Sequence, residues 1–257
     1  MRRQPGFTLV ELVMVIVLLG IVATISVQFV SLSTRGALDV GARQQRALQA
    51  VVVSEQVSRE LRNAFPDSIR IDGDCLEWIP IEAATTYIRL GGPDFDRIPV
   101  VPFTEAPEAG KRVVVYGYGG SPDDLYTVGS VRGPISSPVQ SIDDSVSPPE
   151  IVLESDHRFN GQSPERRLYV VGQPVSLCQS GKFLRRYSEY GFNELQEPPP
   201  TGTGAVLAAN LTGPVEFDYS AGTLERGAIL RFAFTLKDPA GDETTPVSQE
   251  VQIRNVP

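Results

Sequence analysis

The sequence predicts an α+β protein: one long N-terminal helix, half membrane span and half amphipathic, packed on a β-rich globular head. Three observations carry this expectation. An apolar run of membrane length extends from Phe7 to Leu32. Behind it, residues 35–65 contain no proline and repeat their apolar positions at helical spacing. From Pro66 onward, short β-branched and aromatic runs alternate with clusters of Gly, Pro and Asp.

The apolar run holds 26 residues. As a helix it would measure about 39 Å, enough to cross a bilayer core of ~30 Å with some tilt. Glu11 is its only charge, and the next one along the chain is Arg35. A charge at the bilayer centre costs on the order of 2.5–3.5 kcal/mol on insertion scales, so an isolated one in a span is a functional-site candidate. Arg2 and Arg3 precede the span, which keeps that end cytoplasmic and sends the rest of the chain outward. An ordinary signal peptide has a shorter apolar region followed by a small-residue cleavage site. A plain single-pass anchor would account for length and orientation, but not for the retained carboxylate.

The helix is expected to continue past the span. Ala47, Ala50, Val51, Ser54, Val57, Ser58, Leu61 and Phe65 project onto one face, and Gln45, Gln49, Gln56, Glu60 and Asn63 onto the other. Pro66 closes it, because the residue before a proline is pushed out of the α region. A helix from Phe7 to Phe65 would be about 88 Å long. Only its second half carries a face for a head to cover.

The remaining 192 residues suffice for one substantial core or two small lobes. Strands are expected at Cys75–Ile79, Thr86–Leu90, Val113–Tyr116, Leu125–Val128, Leu168–Val171, Val175–Cys178, Phe183–Tyr187, Val215–Tyr219, Ile229–Leu236 and Val247–Ile253. Gly172-Gln173 and Asp238–Gly241 read as hairpin turns. Ala205–Leu211 is the one helix candidate in the head. The stretches Asp143–Pro149 and Glu197–Gly204 read as surface loops.

The ordered string Gly6-Phe7-Thr8-Leu9-Val10-Glu11, behind Arg2-Arg3, resembles the class III signal of type IV pilins and type II secretion pseudopilins. The resemblance implies cleavage between Gly6 and Phe7, with methylation of the new Phe7 amine, by a prepilin peptidase/methyltransferase. It implies that the helix stays on the mature protein and that Glu11 pairs with the Phe7 amine of a neighbouring subunit. Gly20 also stands where such sequences usually carry glycine. The expected organisation is therefore a leader at 1–6, a transmembrane half-helix at 7–32, an amphipathic half at 33–65 and a periplasmic or extracellular head at 66–257.

Within that family, His157-Arg158-Phe159, Ser163–Val171, Pro174–Cys178, Leu184–Tyr187 and Val251–Pro257 are similar to the large minor pilin of mannose-sensitive haemagglutinin-type pili. They are more loosely similar to the J-type pseudopilins of type II secretion. Gln28 stands where many shaft pilins have a helix-kinking proline, which suits a minor subunit. The implied function is a non-enzymatic minor pilin that primes or caps a type IV pilus. A type II secretion minor pseudopilin is the alternative, and a membrane-anchored periplasmic binding or hydrolytic domain a more distant one. The implied partners are the processing enzyme, other major and minor pilins, an inner-membrane assembly platform and membrane lipid. The implied location is the bacterial inner membrane, then the pilus at the cell surface.

Cys75 and Cys178 both fall in the part placed outside the cytoplasm, where an oxidising compartment permits a bridge. Closing that loop would remove up to about 4.7 kcal/mol of unfolded-chain entropy in the simple model. The alternative is two buried free thiols. Two cysteines and one histidine do not readily supply a zinc site. The net charge of −8 argues against nucleic acid as a partner. Arg166-Arg167 and Arg185-Arg186 are expected to be ion-paired with the surplus carboxylates. The doublets Asp72/Asp74, Asp94/Asp96, Asp123/Asp124 and Asp143/Asp144 fall short of a calcium loop and read as solvated turn residues. His157 lacks the companions of a catalytic triad, and no phosphate loop or metalloprotease motif occurs, so neither an enzyme nor a cofactor is expected.

Overall fold

The computed structural model describes residues 7–92, 94–115, 121–222, 227–239, 241 and 243–253. The architecture is α+β: a long helix, α1 (Leu9–Arg62), precedes a β-rich head of several sheets. The chain divides into two compact units, residues 1–48 and 49–257, and α1 contributes to both. In the first unit, every large apolar side chain from Leu9 to Leu32 is exposed. This helix is apolar all round, the signature of a segment whose solvent is lipid or other helices. It is long and apolar enough to cross a membrane.

In the second unit, the first strands are β1 (Arg70–Asp72), β2 (Cys75–Trp78), β3 (Ile81–Thr86), β4 (Phe95–Pro99) and β5 (Arg112–Val114). Then come β6 (Arg132–Gly133), β7 (Ile135–Asp143), β8 (Glu150–Phe159), β9 (Arg167–Val171) and β10 (Val175–Ser180). The last are β11 (Phe183–Tyr187), β12 (Ala205–Ala209), β13 (Glu216–Ser220), β14 (Ala228–Lys237) and β15 (Thr244–Ile253). They form a five-stranded sheet β1-β2-β10-β11-β12, a three-stranded sheet β13-β14-β15, and a larger sheet β3-β9-β5-β7-β8-β4 with β6 beside β8.

The head-side end of α1 supplies Ala50, Val53, Val57 and Leu61 to one core cluster. Leu76, Trp78, Leu177 and Leu184 join it from the five-stranded sheet, and Leu230, Phe232 and Phe234 from the three-stranded one. β14 shows why: Ala228, Leu230, Phe232, Phe234 and Leu236 alternate inward, with exposed or half-buried residues between them, the period-2 pattern of a strand with one buried face. Arg186 Nε, on β11, reaches Glu60 Oε2 at 2.8 Å and adds a polar tie beside that core. The larger sheet buries a second cluster that includes Ile98, Val113, Ile151, Leu153 and Val170.

Ala50, Ser54, Val57, Ser58, Leu61 and Phe65 are buried on the expected face, but Ala47 and Val51 are exposed and Val53 is buried instead. The α-helix itself ends at Arg62, and Phe65, held extended before Pro66, closes the segment. Phe65 N–H donates to the Ile79 carbonyl and Ile81 N–H to that of Asn63, which sews the helix end to the segment between β2 and β3.

The head departs from the sequence expectation at specific places. Ala205–Ala209 is a strand rather than a helix, because it pairs with β11 along that sheet's edge. Leu125–Val128 is not a strand: Pro122–Leu125 is a 3-10 turn capped by Ser121, which accepts from Asp123 N–H. Gly172-Gln173 does not make a hairpin, since β9 and β10 lie in different sheets. Asp238–Gly241 does join a hairpin, β14 to β15. The strand expected at Thr86–Leu90 lies earlier, at Ile81–Thr86, and Tyr116 is outside the described residues. The long β7 and β8 have no counterpart in the expected list; their Ser, Asp and Glu positions hide the apolar alternation.

At the 3-10 turn Pro66–Ser68, Asp67 has a buried Oδ2 without a hydrogen-bond partner. Burial pushes its carboxyl up to about 6. The nearby Tyr219 donates its hydroxyl to the Pro66 carbonyl at 2.8 Å instead. The folded state keeps the Asp67 proton up to about pH 6, whereas the unfolded chain releases it near 3.8. Stability therefore falls as pH rises through that window, and above it the ionised carboxylate is a fixed cost. Asp67→Asn is expected to stabilise the head at pH 7.5 by about 1 kcal/mol, discounted for the group's partial exposure. The gain should vanish near pH 3.5. Urea unfolding at the two pH values checks this, and an equal effect at both would contradict it.

Candidate functional site

The candidate site begins where α1 begins. Thr8 is the residue before the first helical position, and its Oγ1 accepts a hydrogen bond from the Glu11 N–H at 3.3 Å. The Leu12 N–H donates to the Thr8 carbonyl at 3.2 Å. Thr8 is thus the N-cap, and Glu11 sits three positions later, in the first turn. Thr-x-x-Glu is the sequence pattern of a capping box, a signal present in residues 8–11 beside the lone charge. A first-turn carboxylate is also favoured by the positive end of the helix macrodipole. The carboxylate and the cap are separable: Thr8 binds the backbone N–H of Glu11, so any residue at position 11 except proline keeps that bond.

Phe7 is 77 % exposed and precedes the helix, so its side chain is left largely uncovered by the described residues. Gly6 lies outside the described residues. Glycine at position 20 meets no atom within 4 Å of where a Cβ would stand. Nothing in the folded chain therefore requires it, although it costs a helix about 1 kcal/mol relative to alanine. Thr8 and Glu11 are brought together by helix geometry alone.

The two cysteines lie far from this segment in sequence, and the structure pairs them. Cys75 on β2 and Cys178 on β10 are opposite each other in the antiparallel register, with sulfurs 2.06 Å apart. Both are buried, in a small cluster with Tyr187 and the half-buried Tyr190.

Next to them is a buried charge network that sequence reasoning did not single out. Arg70 Nε donates to Glu77 Oε2 at 2.5 Å, and both side chains are below 8 % exposed. Arg70 Nη1 donates to Asp123 Oδ1 at 2.9 Å and to the Glu194 carbonyl at 2.7 Å. Its Nη2 donates to the Asn193 carbonyl at 2.7 Å, and the guanidinium stacks 3.5 Å over the Tyr126 ring. Burial works against the Arg70 charge, but the bond and charge of Glu77, with Tyr126 and Asp123 adding to them, hold the guanidinium above its ordinary range. Tyr190 donates to Glu77 Oε1 at 2.6 Å, and burial beside that carboxylate pushes its phenol upward. The only sequence signal was the alternation Arg70…Glu77 across a Gly73 turn.

The other sequence candidates are structural. His157 is buried on β8 rather than in a loop, with Nε2 3.1 Å from the Gly133 carbonyl and its ring edge-on to Phe159 at 4.7 Å. Burial lowers its pKa. Of the paired arginines, Arg167 bonds Glu165 and Arg186 bonds Glu60. Arg166 and Arg185 instead donate to the carbonyls of Ile88 and Gly204. Among the described residues no group of three or more His, Cys, Asp or Glu side chains is placed to hold a metal ion.

Residues 1–27 match the family model of the prokaryotic N-terminal methylation motif. No curated protein and no solved structure matches the chain. The motif is the signal of type IV pilins and pseudopilins, and it supports a pilin-like or pseudopilin protein, a structural subunit rather than an enzyme. It implies processing by a prepilin peptidase and assembly with other pilins, and with the apolar helix it is consistent with a membrane-anchored, pilus-associated protein.

Proposed function

We propose that the protein is a minor pilin of a type IV pilus, similar to the large minor pilin of mannose-sensitive haemagglutinin-type pili. It is inserted in the inner membrane with Arg2 and Arg3 in the cytoplasm and the head in the periplasm. A prepilin peptidase cuts the Gly6–Phe7 bond and methylates the Phe7 amine. The subunit then enters the filament near its tip, where it primes or caps assembly with other pilins at the inner-membrane platform. The match of residues 1–27 to the methylation motif, together with Glu11 as the one charge of an otherwise apolar span, supports the pilin-like part of this reading, and the minor-pilin part rests on the similarity of the head strings Ser163–Val171 and Pro174–Cys178.

Glu11 acts on a neighbouring subunit. Its carboxylate attracts the positive Phe7 amine of the next copy or of another pilin. In low dielectric that attraction offsets the desolvation of both charges only when the two groups meet in good geometry. A mismatch in axial position leaves both charges buried and unpaired, so the pair selects one register. The exposure of Phe7 and of the entire first turn supports an intermolecular role.

Two variants test the reading. Gly6→Val should leave full-length precursor in the membrane, because the peptidase reads the small residue before the scissile bond while insertion depends on the apolar run. Mature-length protein on an immunoblot of that strain would sink the assignment. Glu11→Val keeps the Thr8 cap and removes the only charge of the span, so it should insert at least as well as the wild type. It should nevertheless be missing from the sheared filament fraction. Normal recovery there would make the carboxylate incidental.

A further inference from the structure

Between β11, which ends at Tyr187, and β12, which starts at Ala205, the chain makes no strand. We infer that this segment, residues 188–204, is a strap that seals the Cys75–Cys178 bond against thiol exchange, with Arg70 as its latch.

The strap is fastened mainly by polar contacts to the strands that carry the cysteines. Gln196 Nε2 donates to the Cys75 carbonyl at 3.3 Å. Tyr190 bonds Glu77, two residues after Cys75, and Ser176, two residues before Cys178, at 2.6 and 2.7 Å. The Arg70 fork holds two consecutive strap carbonyls, Asn193 and Glu194. Phe192 packs beside Tyr126, with ring centroids 6.5 Å apart. The strap returns through Gly204, where a Cβ would come within 2.8 Å of the Tyr187 ring. Glu189 and Gly191 enter the strap with φ of 62° and 85°, a left-handed bend that turns the chain back across the sheet.

Two consequences follow. The sulfurs are closed off, with Cys178 fully buried and Cys75 3 % exposed. A segment held by few apolar contacts opens at lower free energy than the sheet beneath it. Exchange requires a thiolate to approach a sulfur in line, so it proceeds only from the opened state. By the same steric rule, the oxidant that makes the bond acts before the strap closes.

The test is reduction of the full-length oxidised protein in detergent by dithiothreitol at pH 8, with free thiols trapped by alkylation. One dithiothreitol thiolate bonds to a cysteine sulfur, and the S–S electron pair leaves on the other cysteine as a thiolate. The second dithiothreitol thiol then closes the ring, freeing the first cysteine and leaving oxidised dithiothreitol. Gln196→Ala and Tyr190→Phe should each raise the native-state reduction rate about five- to tenfold. Arg70→Lys, which keeps the charge but loses the fork, should raise it further. Val57→Ala, which weakens the core away from the strap, should leave the rate unchanged at low urea. Strap variants that reduce at the wild-type rate would overturn the inference. So would a Val57→Ala variant that accelerates as much as they do, because reduction would then track global unfolding.

Discussion

The head is organised around the Arg70–Glu77 pair. Taking two charges out of water costs several kcal/mol each, and their attraction alone is a poor return on that cost. What the pair provides is arrangement. A guanidinium has donors in a planar fork, and here they go to Glu77 on the neighbouring strand, Asp123 in the 3-10 turn, and the carbonyls of Asn193 and Glu194. One side chain thereby positions β1 against β2, the 122–125 turn and the long 188–204 segment. The remaining Glu77 oxygen is taken by Tyr190, so the buried carboxylate is not left half satisfied.

The long helix meets a different constraint, because it works in two solvents. Its first part is apolar on all sides and finds no partner within its own unit, whereas its last turns bury one stripe under two sheets. The junction with the head is made by backbone bonds at Asn63 and Phe65 and by the Pro66–Ser68 turn, where Ser68 Oγ accepts from Ile79 N–H and Tyr126 donates to the Ser68 carbonyl. The unpartnered carboxyl of Asp67 sits in this same turn. There the junction gives up stability as pH rises.

The disulfide and its cover complement that junction. β2 follows closely on the helix end and β10 lies in the middle of the head, so the bond between Cys75 and Cys178 closes the whole of the larger sheet into a loop. Strands β3 to β9 are thereby held to the same pair of strands that receive the helix.

Much of the plan was legible in the sequence, for identifiable reasons. The helix was readable because the absence of proline and a repeating apolar face persist over dozens of residues, and the β-rich head because β14 and β15 alternate without interruption. Glu11 was readable because a lone charge in an apolar run stands out, and its capping partner Thr8 could have been read from the same four residues. Short segments were not legible. Ala205–Ala209 has a helical composition and is a strand only because β11 offers it an edge. The residues around Gly172 read as a hairpin, but the chain crosses there between sheets whose pairing is decided by strands far away in sequence. His157 has polar neighbours in sequence, yet strand alternation turns it inward. The network around Arg70 depends on residues 53 to 124 positions away. Local periodicity and charge determined the helix and the chemistry of its first turn, whereas strand partners and buried polar contacts, which are set by non-local pairing, were decided only by the tertiary structure.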